Sequence, residues 1–225
     1  MSGGRHVDEL LGRFVSATNV TLLARSGADL VVYKPTAGNR PLWDFDVGTL
    51  AVREVMTYRV AGAMGLDVVP ETALGDGPLG PGAIQRYIDE DDGFDPYSMV
   101  ERADPDLWPF ALLDLAVNNA DRKLGHLLRG RDGRIWGIDH GLTFHPEDKL
   151  RTVLWCFAGM PFPPAMLEAL ERLRAALGDG LADEVATALG GAEAGALRTR
   201  VEGLLAAGVH PAPPGDRPPV PWPPY

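Results

Sequence analysis

Two aspartates, Asp121 and Asp139, have the residue types and surroundings to do chemistry together. They lie in the stretch DLAVNNADRKLGHLLRGRDGRIWGIDHGLTF, residues 114–144. Between them Arg131-Asp132-Gly133 is a turn signal, flanked by the apolar pairs Leu127-Leu128 and Ile135-Trp136. Two short strands joined by a tight turn account for that pattern. A hairpin brings its ends together, so the two carboxylates become neighbours. One can then orient a hydroxyl while the other holds a cation. Phosphoryl transfer needs that pairing, because its catalysis is mostly positioning and charge neutralisation. Asp139 follows an apolar strand and precedes Gly141. The strand fixes the carboxylate and the glycine lets the backbone turn sharply. Mg²⁺ takes one or two carboxylates plus substrate phosphates, so Asp139 needs only one further ligand.

The rest of the chain reads as the mounting for that pair. Residues 7–15 read as a short helix or a first strand. Residues 20–25 and 30–34 read as strands around a turn at 26–29, by their β-branched content. The polar loop Ser16-Ala17-Thr18-Asn19 precedes them and has hydroxyls and amides that can face a phosphate. No glycine-rich phosphate fingerprint is present, and taken alone the loop reads equally well as an ordinary hairpin turn. Lys34 ends an apolar strand, from which it can reach nucleotide phosphates; by itself it reads as a solvated strand end. Residues 35–49 form a long Gly/Pro-rich loop with Trp43 and Phe45, suited to a substrate flap or to packing under the next helix. Residues 50–64 are a helix stopped by Gly65, and Glu54 on it would fix Lys34 if the two pair.

Residues 67–72 and 83–88 read as two more strands, joined by the turn-rich 74–82. The acidic run at 89–92 reads as a solvated loop. A largely apolar helix over 106–118 delivers the chain to the central stretch. Residues 164–177, 180–189 and 192–207 carry apolar positions at helical spacing. The tail HPAPPGDRPPVPWPPY, residues 210–225, is expected to be extended or disordered: a passive tail, or a polyproline ligand for a partner domain.

Charge narrows the partners. A net charge of −10 and a pI of about 4.9 argue against nucleic acid and against stable docking on an anionic membrane, both of which need Lys/Arg clusters. Cys156 is the only cysteine, so neither an internal disulfide nor a cysteine-based metal site is expected. The start lacks a signal-peptide pattern and no apolar run reaches membrane-span length, so a cytoplasmic protein is expected.

Strand Lys34, helix Glu54, the loop from Asp121 to His126 and the turn from Asp139 to Gly141 follow one another in the order of a protein-kinase-like fold. Asp121-Arg122-Lys123 and Ile138-Asp139-His140-Gly141 resemble the phosphatidylinositol 3-/4-kinase superfamily, and more closely its small actinobacterial members. The resemblance spans residues 14–175, strongest in the central stretch and weakest in the nucleotide loop. It implies an α+β, compact two-lobed fold. A β-rich N-terminal lobe with one helix would cover 1–92, and a mainly helical C-terminal lobe 93–209. It implies an ATP-dependent phosphotransferase using Mg²⁺, with Mn²⁺ as the alternative, acting on an unidentified hydroxyl-bearing substrate.

By that resemblance Asp121 orients the acceptor hydroxyl and Lys123 neutralises charge on the transferred group. Asp139 and His126 hold the metal. Lys34 binds the nucleotide phosphates with Glu54 as its partner. Ser16, Thr18 and Asn19 stand in for the glycine-rich loop, and Gln85, Arg86, Tyr87 and Ile88 form the hinge that meets the adenine. Three positions depart from the pattern: Lys123 replaces His, His126 replaces the Asn that serves as second metal ligand, and His140 replaces Phe. An imidazole nitrogen suits Mg²⁺ less well than an amide oxygen. The departures leave open a nucleotide-binding pseudokinase acting as a scaffold, and kinase-like folds also support nucleotidyl (AMP) transfer. With no basic face or membrane anchor in view, a soluble polyol or a protein hydroxyl is the expected acceptor, not a lipid.

Overall fold

The computed structural model describes residues 5–15 and 19–225. β1 (Arg5–His6) and β2 (Glu9–Arg13) open the chain, so residues 9–13 form a strand and not the alternative helix. β3 (Leu22–Ser26) and β4 (Asp29–Pro35) make a hairpin turned at Gly27, whose φ of 59° favours glycine. A long loop leads to α1 (Leu50–Ala63), followed by β5 (Thr72–Gly77) and β6 (Gly80–Arg86). The six strands form one sheet in the order β1-β5-β6-β4-β3-β2, antiparallel except for β1 with β5. Along β4 the side chains alternate between faces. Val31 and Tyr33 fall into a small core with Val7, Leu22, Ala24 and Ile84, which leaves Lys34 on the other face.

β5 and β6 lie several residues from the expected positions. Only Pro78-Leu79 separates them, and Gly75 and Gly82, read as turn residues, sit inside strands. The reason is steric. A Cβ at Gly75 would fall 2.1 Å from the Arg5 carbonyl oxygen, and one at Gly82 would fall 2.3 Å from that of Lys34. Glycine marks close backbone approach here.

The second half is mainly helical. α2 (Pro96–Glu101) and α3 (Trp108–Val117) precede a hairpin of β7 (Leu127–Arg129) and β8 (Ile135–Gly137). That hairpin is the one expected between the two aspartates, with Leu128 opposite Trp136. α4 (Pro164–Ala176), α5 (Ala182–Ala188) and α6 (Gly191–Ala207) complete the lobe. The main core gathers Leu112, Phe144, Phe157, Leu170 and Leu197 from this half together with Met56, Val60 and Met64 of α1. α1 therefore packs on the sheet with one side and joins the helical core with the other. Among the described residues no helix is long and apolar enough to cross a membrane.

Residues 210–225 form no helix. The expectation of disorder is corrected by their contacts. The Pro219 carbonyl accepts from the Thr152 amide at 3.0 Å and from Trp155 Nε1 at 2.8 Å. The Pro224 carbonyl accepts from the Leu124 amide at 2.8 Å, and Arg217 pairs with Asp148 at 2.7 Å. Proline has no N–H but keeps its carbonyl, so this segment supplies acceptors to loop donors that secondary structure leaves unpaired.

Candidate active site

Four elements converge on one cluster. β4 presents Lys34, and α1 presents Glu54, which is 3% exposed. α3 ends at Asn118 in a left-handed conformation (φ 56°), and this turn sends residues 119–126 past the strand end that carries Asp139. β8 delivers Asp139, whose own φ of 60° is uncommon for a residue with a Cβ. Such strained positions gather where a side chain must be aimed, and here the strain directs a carboxylate at the lysine.

Lys34 Nζ donates to Glu54 Oε1 at 2.5 Å and to Asp139 Oδ1 at 3.0 Å. His126 Nε2 lies 3.3 Å from Asp139 Oδ2, within electrostatic reach of the second oxygen but outside hydrogen-bond geometry. Beside them Lys123 Nζ is 3.2 Å from Asp121 Oδ2, and the Asp121 amide donates to Asn119 Oδ1 at 3.0 Å. The structure therefore brings Lys34, Glu54, His126 and Asp139 into direct contact, with Lys123 and Asp121 alongside.

The titration directions follow from this packing. Burial alone would lower Lys34, but Asp139 and Glu54 together outweigh it and hold the ammonium above its ordinary value. Lys34 holds the Asp139 carboxyl far below the usual range, against the opposing effect of burial. Burial raises Glu54, and Lys34 offsets part of that rise. Burial also raises Asp121, with Lys123 opposing. His126 is pushed down to about 4, chiefly by burial, so its ring is neutral near pH 7.

Beneath the cluster lies a second set of charges that the sequence reading missed. Asp114 and Arg122 are both 0% exposed. Arg122 Nε reaches the two Asp114 oxygens at 3.1 and 3.0 Å, and its Nη2 reaches Oδ1 at 2.9 Å. Asn119 Nδ2 and Thr152 Oγ1 add donors to Asp114 at 2.8 and 3.1 Å. Arg122 Nη1 donates to the carbonyls of His126 and Ile138 at 3.2 and 3.0 Å. Its Nη2 also lies 2.7 Å from His140 Nε2, which must accept because a guanidinium has only donors. Burial, with Arg122 beside it, keeps His140 neutral. Where the kinase pattern has an apolar Phe, His140 is thus an acceptor for Arg122. One arginine ties the Asp121 loop to the strand end that carries Asp139. Asp114 is the signal that could have found it, as the only charged residue in the otherwise apolar α3.

The remaining expected residues are placed as follows. Ser16 and Thr18 lie outside the described residues. Asn19 Oδ1 accepts from the Arg40 amide at 3.0 Å, tying the loop before β3 to the one after β4. Gln85 and Arg86 belong to β6, paired with Val32 and Val31 of β4. Gln85 Nε2 donates to Thr72 Oγ1 at 2.8 Å, and the Arg86 guanidinium stacks over Trp136 at 4.4 Å. Among the described residues no hydrogen bond joins either to the Lys34 cluster, because the sheet already uses them. The Tyr87 amide still bonds the Leu30 carbonyl at 3.2 Å, so the sheet extends to it, and Ile88, buried, begins the crossing between lobes. In the long loop Phe45 packs edge-on against His145 at 5.3 Å, whereas Trp43 is 87% exposed.

Asp139 fits a hard divalent cation shared with substrate phosphates, being an ionised carboxylate with its side chain half exposed. Among the described residues no third His, Cys, Asp or Glu joins it to make a closed all-protein site.

The sheet-plus-helix architecture has a solved counterpart. The Helicobacter pylori proinflammatory kinase CtkA superposes with a TM-score of 0.55 at 13% identity, over 91% of this chain and 93% of that one. The fold is thus kinase-like: an α+β chain with a curled N-terminal sheet and a helical C-terminal part. Protein Rv2133c of Mycobacterium tuberculosis is 40% identical over 253 aligned positions, 95% of this chain and 91% of that protein, and the chain belongs to its family. Phosphatidylinositol 4-kinase gamma 4 of Oryza sativa subsp. japonica is 32% identical over 142 positions, covering 52% of this chain but 25% of that one. The kinase-like fold and the partial sequence likeness to a phosphatidylinositol 4-kinase agree with each other. No family model matches the chain.

Proposed function

We propose that the chain is an ATP- and divalent-metal-dependent phosphotransferase that passes the γ-phosphate to a hydroxyl of a soluble small molecule or a protein. The observation that carries this reading is Lys34, held at once by buried Glu54 and by Asp139. Glu54 keeps the ammonium at the cleft, and an entering nucleotide's phosphates take the donor that Asp139 now holds. Asp139 is then released to a cation. Mg²⁺, when bound there, supplies neutralisation of the phosphate oxygens.

Asp121 performs the proton step. Its carboxyl, raised by burial, accepts the proton of the acceptor hydroxyl as that oxygen bonds to the γ-phosphorus. The bond to the bridging oxygen breaks and ADP leaves with the electron pair. Lys123, 3.2 Å from Asp121, balances charge on the group in transit.

Replacement Asp121→Asn tests the assignment. Phosphate transfer from labelled ATP should fall about 10²–10⁴-fold. The nucleotide-induced rise in melting temperature should survive, because Lys34 and Asp139 are untouched. Normal turnover by this variant sinks the assignment. A wild-type protein that binds ATP without consuming it is a scaffold, and product masses increased by an adenylyl group identify nucleotidyl transfer.

A further inference from the structure

Residues 149–152 run beside residues 118–122 in the same direction. The Lys149 amide donates to Asn118 Oδ1 at 3.0 Å, the Arg151 amide to the Asn119 carbonyl at 2.9 Å, and the Arg122 amide to the Arg151 carbonyl at 3.1 Å. Arg122 and Thr152 form the bridge of this parallel pairing, and both turn their side chains inward onto the buried Asp114. Side chains alternate along paired extended chain. The residues one step earlier, Asp121 and Arg151, therefore share the opposite face. The Arg151 charge pulls the Asp121 carboxyl down against the effect of burial, which agrees with that placement.

The other bases of this neighbourhood are occupied. Lys123 faces Asp121, and Lys34 holds Glu54 and Asp139. Lys149 reaches Glu147 at 3.2 Å and Asp44 at 3.8 Å, and lies over the Trp43 ring at 5.0 Å. Arg53 donates to the Thr143 carbonyl and pairs with Glu193. Arg151 is only partly exposed, yet among the described residues its guanidinium has neither a hydrogen bond nor an ion pair. Charged groups drawn away from water are normally paired. A free guanidinium is a planar fork of donors matched to a carboxylate or a phosphate.

We propose that Arg151 reads the acceptor: it binds a carboxylate or phosphate carried by the same small molecule whose hydroxyl Asp121 orients. The acceptor class is then a short hydroxy acid or the phosphomonoester of a short polyol. This rests on the phosphotransfer reading above and deepens it. Paired chains lie about 5 Å apart, so the anionic group and the reacting hydroxyl stand a few bonds from each other. The nucleotide's phosphates are served by Lys34 and by the cation on Asp139, which leaves Arg151 to the acceptor. A net charge of −10 gives an anion no general attraction, so a local donor of this kind decides which hydroxyl compounds are held.

The test follows the Arg151 Nε–H and the backbone amide of residue 151 in nitrogen-15 spectra of the full chain. Protein saturated with Mg²⁺ and the non-hydrolysable analogue AMP-PNP is titrated with acetate and, separately, with inorganic phosphate. At least one anion should move both signals to saturation, and the tighter of the two names the acceptor's group. Arg151→Gln should weaken that anion about 10–100-fold, read from the backbone amide. AMP-PNP affinity and the melting temperature should be unchanged in the same variant.

Signals that neither anion moves overturn the proposal. So does an Arg151→Gln protein that loses AMP-PNP affinity as strongly as anion affinity, because Arg151 then serves the nucleotide. If AMP-PNP fails to bind the wild-type chain, the phosphotransfer reading falls and the proposal with it. Nucleotide binding without an anion response removes the proposal alone.

Discussion

Two clusters, each joining acids to bases, are linked through Arg122, which bonds the carbonyls of His126 and Ile138, and they behave differently. In the lower one, Asp114 and Arg122 are wholly buried, and Asp114 receives donors from Arg122, Asn119 and Thr152. In the upper one, Lys34 joins a buried Glu54 to an Asp139 whose side chain is half exposed. Desolvated pairs have no solvent to fall back on, so the lower cluster is fixed to its partners. The upper cluster is open to solvent at Asp139, so its lysine can exchange that carboxylate for another anion. Burial on every side thus builds a joint, and partial exposure leaves charges free to change partners.

Breaking the lower cluster should have the largest effect. Arg122→Met strands Asp114 as a buried charge and should cost about 3–5 kcal/mol in urea unfolding. The double replacement with Asp114→Leu should cost less than the two single changes added, because no lone charge remains. Acid comes next. His126 binds its proton at pH about 6.5 when unfolded and at about 4 when folded. The unfolded state is thus the better proton acceptor between those values, so stability falls as pH drops through that window, by ~3 kcal/mol from this residue. His140, also lowered, adds to the slope in the same sense. Unfolding curves at pH 7 and 4.5 read the difference, which His126→Gln should reduce. Lys34→Met should cost least, about 1 kcal/mol, because Glu54 can take a proton and Asp139 can turn to water. The same variant should lose the nucleotide-induced thermal shift. A stability loss as large as that of Arg122→Met would erase the distinction between the clusters.

The upper cluster was legible in the sequence and the lower one was not. Lys34, Glu54, Asp121 and Asp139 stand at the ends of recognisable elements, where residue type and order suffice to suggest partners. The lower cluster joins a mid-helix residue to partners at 119, 122 and 152, and nothing local marks those pairings. Only the oddity of one acid in an apolar helix pointed to it. β5 and β6 were displaced in the reading for a related reason. Glycine signals a turn by local rules, whereas Gly75 and Gly82 answer to the neighbouring chains at Arg5 and Lys34. His126 was assigned by its place in a motif, and no spacing announces that its Nδ1 accepts the Lys123 N–H.

The carbonyls of Pro219 and Pro224 give the site a history as well as a shape. They follow every helix among the described residues, yet they accept hydrogen bonds from Leu124, Thr152 and Trp155, which flank the Asp121 loop. A ribosome adds about 5–20 residues per second, so these acceptors emerge well after the donors they serve. A nascent chain that has made both lobes still lacks these outer fastenings of the Asp121 loop. Fastening of the Asp121 loop during synthesis therefore waits on acceptors made far along the chain from their donors.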